Sequence, residues 1–244
     1  MQKTHAAITG QGSALGRYQD VMVGCRSWTA LLYYELCMWL APVPGALGMV
    51  LRKIFWPRLF AGCGKGCMFA AGIVVRQPRR IRLGRGVVIS EGCILDGRHS
   101  EAEVSIEVGD NVIFSNSVML SCKNGTIAIG PETGINAQTI IQSTNDCPVR
   151  IGGDCIIGQR CLIIAGGSYN MEQLDVPIRT QGIRPDGGTV LEDNVWLGGN
   201  VTVLGGVTMG SGSVAGAGAL VSRDTPANSV SLGVPARVAR MRAP

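Results

Sequence analysis

The last third of the chain repeats an apolar residue at every sixth position. Between residues 191 and 221 the repeated positions are Leu191, Leu197, Val203, Met209, Ala215 and Val221. A period of six fits neither the 3.6-residue period of a helix nor the alternation of an ordinary strand. It is typical of a parallel β-helix, in which each six-residue rung is one short side of a coil and about 18 residues complete a turn.

The same phase recurs upstream in four groups of three rungs. The groups are Leu83, Ile89 and Leu95; Val108, Phe114 and Leu120; Ile129, Ile135 and Ile141; and Ile151, Ile157 and Ile163. The residue two positions earlier is mostly apolar too, and at Cys93, Cys155 and Cys161 it is a cysteine. The count slips after each third rung, so the extra residues should stack at one corner of the coil. The longest slip predicts an inserted loop, and a long loop in such a structure is usually functional or disordered.

We therefore predict an all-β solenoid, a parallel β-helix with an N-terminal helical segment. The expected divisions are a flexible tail over 1–17, a helical segment over 18–60, a transition over 61–80, the β-helix over 81–225 with an inserted loop over 164–190, and a C-terminal tail over 226–244.

The helical segment is apolar but interrupted by Pro42 and Pro44. It predicts one helix, a turn and a second helix ending near Arg52 and Lys53. The apolar run over 28–40 is too short to span a bilayer core of about 30 Å. Two interpretations stay open. The helices cap the open end of the solenoid or pack between subunits, or residues 28–58 lie on a membrane surface, with Arg52, Lys53 and Arg58 facing anionic lipid.

Composition narrows the class of protein. With 35 Gly and 16% charged residues, the chain is expected to be ordered and rich in tight corners. Nine Cys without a CxxC pair do not suggest a disulfide framework, so we expect a reducing compartment. The first fifteen residues do not resemble a signal peptide.

The net charge of +5 is concentrated in the N-terminal part. From Arg17 to Arg85 only Asp20 and Glu35 oppose the basic residues, which suggests an anionic surface as a partner. No basic platform interleaved with aromatics is present, so we do not expect a nucleic-acid partner.

The segment VWLGGNVTVLGGVTMGSGSVAGAGALVSRDTPANSVSLGVPARV resembles the C-terminal signature of the hexapeptide-repeat acyltransferases, a left-handed β-helix family. DVPIRTQG at 175–182, followed by NVWLG, is similar to sugar O-acetyltransferases of surface-polysaccharide and lipopolysaccharide synthesis. The resemblance implies a homotrimer, acetyl-CoA as the donor, a sugar or glycolipid acceptor, no metal, and an active site between neighbouring subunits.

The resemblance also implies a set of CoA-binding residues. They are Trp196, Gly199, Ala217, Ser222, Arg223, Arg237 and Arg240. Small residues would let a pantetheine arm lie against the coil, and the arginines could hold phosphates. The alternatives are corner packing for the small residues and a solvated tail for the terminal arginines.

The general base that the family places in the inserted loop is missing. Its chemistry uses a histidine, whose pKa lies near neutrality. The aligned position here is Tyr169, or Asn170 after a slip of one residue, and an unperturbed Tyr has a pKa of about 10. His99 would lie at the same corner, but three coils away, which is about 14 Å. Glu172 and Asp175 are further candidates within the loop.

These observations predict an acetyltransferase on the cytoplasmic side of the membrane that modifies a sugar hydroxyl in polysaccharide or glycolipid assembly. The alternative is a catalytically lapsed homologue that acts as a binding or scaffold protein. A γ-class carbonic anhydrase needs three His on one zinc ion. The chain has two His, so that class is excluded.

Overall fold

The computed structural model describes residues 13–242, which form a parallel β-helix preceded by three α-helices. The helices are α1 (Ala14–Tyr18), α2 (Trp28–Leu40) and α3 (Gly45–Phe55). A π-helical turn at Gln19–Val23 lies between α1 and α2. The 3-10 turns lie at Trp56–Leu59, Pro78–Arg80 and Ile178–Thr180.

Three sheets of parallel strands form the sides of the solenoid. The first sheet contains Gly62–Cys63, Ile81–Leu83, Ile106–Val108, Ile127–Ile129, Val149–Ile151, Thr189–Leu191 and Thr208–Met209. The second contains Met68–Phe69, Val88–Ile89, Ile113–Phe114, Gly134–Ile135, Ile156–Ile157, Trp196–Leu197, Val214–Ala215, Ser229–Leu232 and the antiparallel Arg237–Met241. The third contains Val74–Arg76, Ile94–Arg98, Met119–Lys123, Ile140–Thr144, Leu162–Ala165, Thr202–Val203 and Leu220–Val221. One strand from each sheet makes a coil, and the described residues contain about seven coils.

The six-residue phase marks the inside of the coil, as predicted. Every repeated position from Leu83 to Val221 is buried. Cys93, Cys155 and Cys161 are buried beside them, and the nine cysteines are free thiols. The core is therefore three columns of apolar side chains that meet along the axis, and the prediction of a parallel β-helix is confirmed.

The β-helix extends past both of its predicted bounds. Residues 61–80, expected to be a transition, form the first coil, because their three strands pair with the strands of the second coil. At the other end, Ser229–Leu232 adds a strand to the second sheet within the expected C-terminal tail. The expected tail over 1–17 lies mostly outside the described residues.

Two helices cover the first coil, as the capping interpretation expects. The Trp56 ring packs on Phe69 with ring centroids 5.4 Å apart. Its Nε1 donates to the carbonyl of Cys37 in α2, and the Tyr34 hydroxyl donates to the carbonyl of Val75 in the first coil. The helices are thus attached to the solenoid by both apolar packing and hydrogen bonds.

Arg52 joins the helices to the solenoid from inside. Its Nη1 donates to the carbonyls of Leu40, Ala41 and Val43, and its Nε donates to that of Phe69. The residue is only 1% exposed. The expectation that Arg52 faces lipid is therefore wrong, because its guanidinium caps the end of α2, whose last carbonyls lack helical partners.

Consecutive coils approach closely at their corners. A Cβ added at Gly130 would lie 2.5 Å from the carbonyl carbon of Gly152. A Cβ at Gly198 would lie 2.6 Å from the backbone nitrogen of Ala217 in the next coil. Glycine at these corners is therefore required by the spacing of the coils.

We predict that Gly130→Ala destabilises the protein, because the new methyl group meets backbone that cannot move without breaking the ladder. Overpacking of this kind costs about 1–3 kcal/mol. The matched control is Gly134→Ala, four residues along, where an added Cβ has no neighbour within 4 Å. Thermal or denaturant unfolding should show a lower midpoint for Gly130→Ala alone. Equal midpoints for the two variants would contradict the close approach of the corners.

Candidate active site

A hairpin projects from the solenoid between the fifth and sixth coils. Ser168–Tyr169 pairs antiparallel with Ile183–Arg184, and the turn Ile178–Thr180 lies between them. The insertion lies within the predicted loop over 164–190. It leaves the coil after the third sheet, at the corner where the shorter slips between coils also lie.

The neck of this hairpin is closed by Asp186. Its carboxylate accepts hydrogen bonds from the backbone N–H of Gly166 at 2.7 Å and of Gly188 at 3.0 Å. From the coil below, Thr144 Oγ1 donates to the carbonyls of Ala165 and Gly166. The neck is therefore held at both ends, and the hairpin has a defined point of departure from a rigid coil.

Tyr169 and Asn170 lie together in the hairpin but differ in what their polar groups do. The Tyr169 side chain is 52% exposed, and its hydroxyl has no hydrogen-bond partner within residues 13–242. The Asn170 backbone N–H donates to Gly182, and its Nδ2 donates to the carbonyl of Gln181. Asn170 therefore clasps the two strands of the hairpin, whereas the Tyr169 hydroxyl is available to a ligand.

His99 does not meet the hairpin residues. It lies in the corner after the second coil, and its Nδ1 accepts from the backbone N–H groups of Glu101 at 3.0 Å and Ala102 at 2.8 Å. Burial, followed by the positive charge of Arg80, lowers the pKa of the imidazole. To take a proton at Nδ1, the ring would have to give up both bonds, so this geometry argues against His99 as the base.

The two acidic residues of the hairpin are exposed to solvent. Glu172 Oε2 accepts from the backbone N–H of Met171 at 2.9 Å, and bonds to backbone N–H groups lower the pKa of this carboxyl. A lowered pKa makes Glu172 a weaker base, which is the opposite of the shift expected for a catalytic carboxylate at neutral pH. Asp175 has no hydrogen bond among the described residues.

Trp196, Gly199 and Ala217 are brought together at the corner between the second and third sheets. The strand of Trp196 pairs with the next strand of its sheet, and the backbone N–H of Gly218 donates to the carbonyl of Gly199. The Trp196 ring is half exposed. A Cβ at Gly199 would lie 2.9 Å from Nε2 at the end of the flexible Gln159 side chain, which could move aside.

The four remaining predicted CoA-binding residues fall in two other places. On the second sheet, Val230 lies two strands beyond Trp196, and Arg240 pairs with Val230 from the next and final strand. Arg237 lies on the same final strand and is exposed. Ser222 and Arg223 follow the third sheet, at the corner from which the hairpin leaves two coils earlier. The structure therefore places Arg240 in line with Trp196, Arg237 opposite Leu232 on the same final strand, and Arg223 nearer to the hairpin.

Two structural residues of the site were missed by the sequence analysis. Asp186 precedes the Gly187–Gly188 pair, and an acidic residue before glycines is a signal for a turn. Thr144 carried no such signal, because its role depends on the loop of a later coil.

No group of three or more His, Cys, Asp or Glu able to hold a metal ion occurs within residues 13–242. In the same part of the chain, no helix combines the length and apolarity needed to cross a membrane.

The fold of this chain is similar to that of solved acyltransferase structures. The chain superposes on the polySia specific acetyltransferase NeuO with a TM-score of 0.52 and 20% identity, over 75% of this chain and 77% of NeuO. It also superposes on AntD, an N-acyltransferase from Bacillus cereus in complex with dTDP and 3-hydroxybutyryl-CoA, with a TM-score of 0.50 and 19% identity, over 75% of this chain and 84% of AntD. The fold is that of the hexapeptide-repeat acyltransferases.

The chain also has a sequence relative that is named as an acetyltransferase. The Mycobacterium tuberculosis protein named Probable acetyltransferase Rv3034c is 27% identical over 168 residues, which cover 67% of this chain. The match spans 55% of that relative, little more than half of its length. No protein-family model matches the chain.

We predict that the loop held by His99 opens as the pH falls. The folded-state pKa is lowered, so the stability that His99 contributes is present above its unfolded pKa of about 6.5 and is lost as the pH falls from there towards the folded value. His99→Asn keeps a side-chain acceptor for the two N–H groups but does not titrate. The measurement is the protection factor of the Glu101 and Ala102 amides between pH 8 and 5, which compares each exchange rate with the intrinsic rate at the same pH. We expect protection to fall at low pH in the wild type and to stay constant in His99→Asn. An equal loss of protection in both proteins would show that His99 is not the cause.

Proposed function

We propose that this chain is an acyltransferase that moves an acetyl group from acetyl-CoA to a sugar hydroxyl in polysaccharide or glycolipid assembly. The observation that carries the proposal is a hairpin with an exposed, unpartnered Tyr169 hydroxyl, inserted into a coil that adjoins a corner of small residues. Three similar proteins support it. One is named an acetyltransferase, one is specific for polySia, and one is an N-acyltransferase in complex with dTDP and an acyl-CoA.

The donor would lie along the corner beside Trp196. Gly199 and Ala217 have no side chain beyond Cβ, so a pantetheine arm could run against the backbone and bond to it. Arg240 lies three strands along the same sheet from Trp196, which is about 14 Å at the spacing of paired strands. That reach suits arginines that hold the phosphates at the far end of CoA.

The outer surfaces of the three sheets support a homotrimer. The outward positions of the first sheet include charged residues such as Arg82, Glu107 and Arg150. The outward positions of the other two sheets are mostly apolar, namely Met68, Val88, Ile113, Ile156, Trp196, Val214 and Val230 on the second and Val74, Ile94, Met119, Ile140, Leu162 and Leu220 on the third. Two apolar faces that meet at the corner of Gly199 and Ala217 would be covered if each copy sits between two others.

The reaction requires a base or a proton path for the acceptor hydroxyl. The hydroxyl oxygen attacks the thioester carbonyl, a C–O bond forms, the C–S bond breaks, and CoA leaves as the thiol with the proton given up by the acceptor. Among the three predicted catalytic residues, Asn170 and His99 already use their side chains in the fold. Tyr169 is the best placed of the three, as the hydrogen-bonding partner of the acceptor hydroxyl.

The second candidate function is a lapsed homologue that binds but does not catalyse. It is favoured by a specific observation, because the inserted hairpin over 166–188 contains no histidine. A scaffold protein with the same fold would keep the packed corners and lose the need for a base.

The two functions predict different results in an assay of CoA release from acetyl-CoA, with a panel of sugar nucleotides and glycolipids as acceptors. We expect acceptor-dependent turnover, and about a hundredfold lower kcat for Tyr169→Phe, a typical loss for a group that assists proton transfer. Leu174→Ser, at the exposed tip of the same hairpin, is the matched control and should keep full activity. A wild-type protein that binds CoA but turns over no acceptor would favour the scaffold. Full activity of Tyr169→Phe would remove Tyr169 from the mechanism.

A further inference from the structure

Helix α2 presents an apolar face that nothing in the described chain covers. Trp28, Leu32, Leu36 and Trp39 recur at helical spacing on one side, and Trp39 is 80% exposed. The side chains that attach the helix, such as Tyr34, lie on its other side. This face, called here the α2 face, therefore points away from the solenoid.

Helix α3 also presents an exposed apolar face. Leu47, Val50 and Ile54 fall on one side of the helix and are each more than half exposed. The buried Gly48 and Arg52 lie on the side that faces the solenoid and α2. Large exposed apolar patches on a folded domain mark interaction sites rather than ordinary surface.

The charges around these two faces are mostly positive. Lys53 and Arg58 are exposed, and so is Arg79 in the neighbouring 3-10 turn. Between residues 13 and 60 the acidic residues are Asp20 and Glu35, and both are engaged. Asp20 pairs with Arg26 at 2.8 Å, and Glu35 accepts from the Tyr18 hydroxyl. Within residues 13–60, five Arg and Lys residues stand against these two carboxylates, so the region of the faces keeps a net positive charge.

We propose that α2 and α3 dock this protein on a phospholipid bilayer that carries anionic headgroups. The helices would lie flat in the interface, since α2 is about 20 Å long at 1.5 Å per residue and the bilayer core is about 30 Å thick. Tryptophans at both ends of the α2 face suit the headgroup layer, and Lys53, Arg58 and Arg79 meet lipid phosphates.

The charges favour lipid over a second copy of the chain. A contact between two such faces would bring two regions of net positive charge together. A bilayer with anionic lipid supplies both an apolar layer and the opposite charge. The proposal does not rest on the acyltransferase activity, although it would place such an enzyme beside a lipid-linked acceptor.

The test is flotation of the full chain with vesicles of phosphatidylcholine alone or mixed with phosphatidylglycerol. We expect binding to the mixed vesicles that weakens as salt is added, since salt screens surface charge. The Trp28→Ser/Trp39→Ser double variant should lose at least about tenfold in binding to the mixed vesicles, because two apolar side chains no longer leave water. Arg58→Ser/Arg79→Ser should lose about fivefold per arginine on the mixed vesicles and little on neutral ones.

Leu174→Ser is the matched control. It removes an apolar side chain that is 98% exposed, four coils away from the helices, and should leave vesicle binding unchanged. Circular dichroism checks that each variant is folded, and light scattering measures its oligomeric mass. Wild-type protein that stays off the mixed vesicles would overturn the proposal. So would a tryptophan double variant that binds vesicles normally but falls to a smaller oligomer, because the α2 face would then be a subunit contact.

Discussion

The close, in-register approach of consecutive coils is the constraint on which this structure depends. Each coil donates its backbone N–H groups to the carbonyls of the next, so the corners must turn within two or three residues. Glycine meets this demand where another corner passes within reach of a Cβ, as at Gly130 and Gly198. Asparagine meets it where the chain adopts a left-handed conformation, as at Asn111 and Asn194, with φ of 56° and 58°.

That constraint pushes function to the outside of the coil. The interior of the coil is filled by buried, mostly apolar side chains. Polar chemistry is therefore found at the corners, in the hairpin inserted at one of them, and on the helices that cover the first coil. Asp186 attaches the hairpin to the coils, because its carboxylate accepts from backbone N–H groups on both sides of the hairpin neck.

Much of the fold could be predicted because the period of six reports directly which side chains point inward. The first coil was missed although Cys63, Phe69 and Val75 keep the period, because a 3-10 turn at Pro78–Arg80 then inserts two residues before Leu83. The burial of Arg52 could not be read from the sequence. It depends on carbonyls of α2 and of the first coil that are brought together only in three dimensions.

The positions of some candidate site residues could also be predicted from the period of six. Gly199 and Ala217 are 18 residues apart, so the period alone places them at one corner of neighbouring coils. The same count puts Ser222 at the following corner, beyond the reach of Trp196 on the second sheet. The roles of Asn170 and His99 could not be predicted, because they follow from hydrogen bonds within loops that have no repeat.

The proposed function requires that the corner beside Trp196 binds CoA. The most direct measurement is a calorimetric titration of CoA into the wild type and into Ala217→Trp, in which a large side chain at an exposed position fills the proposed path of the pantetheine arm. We expect saturable binding to the wild type that is lost or greatly weakened in the variant. Equal binding to both proteins would move the site away from this corner, and no binding to either would contradict the proposed acyltransferase function.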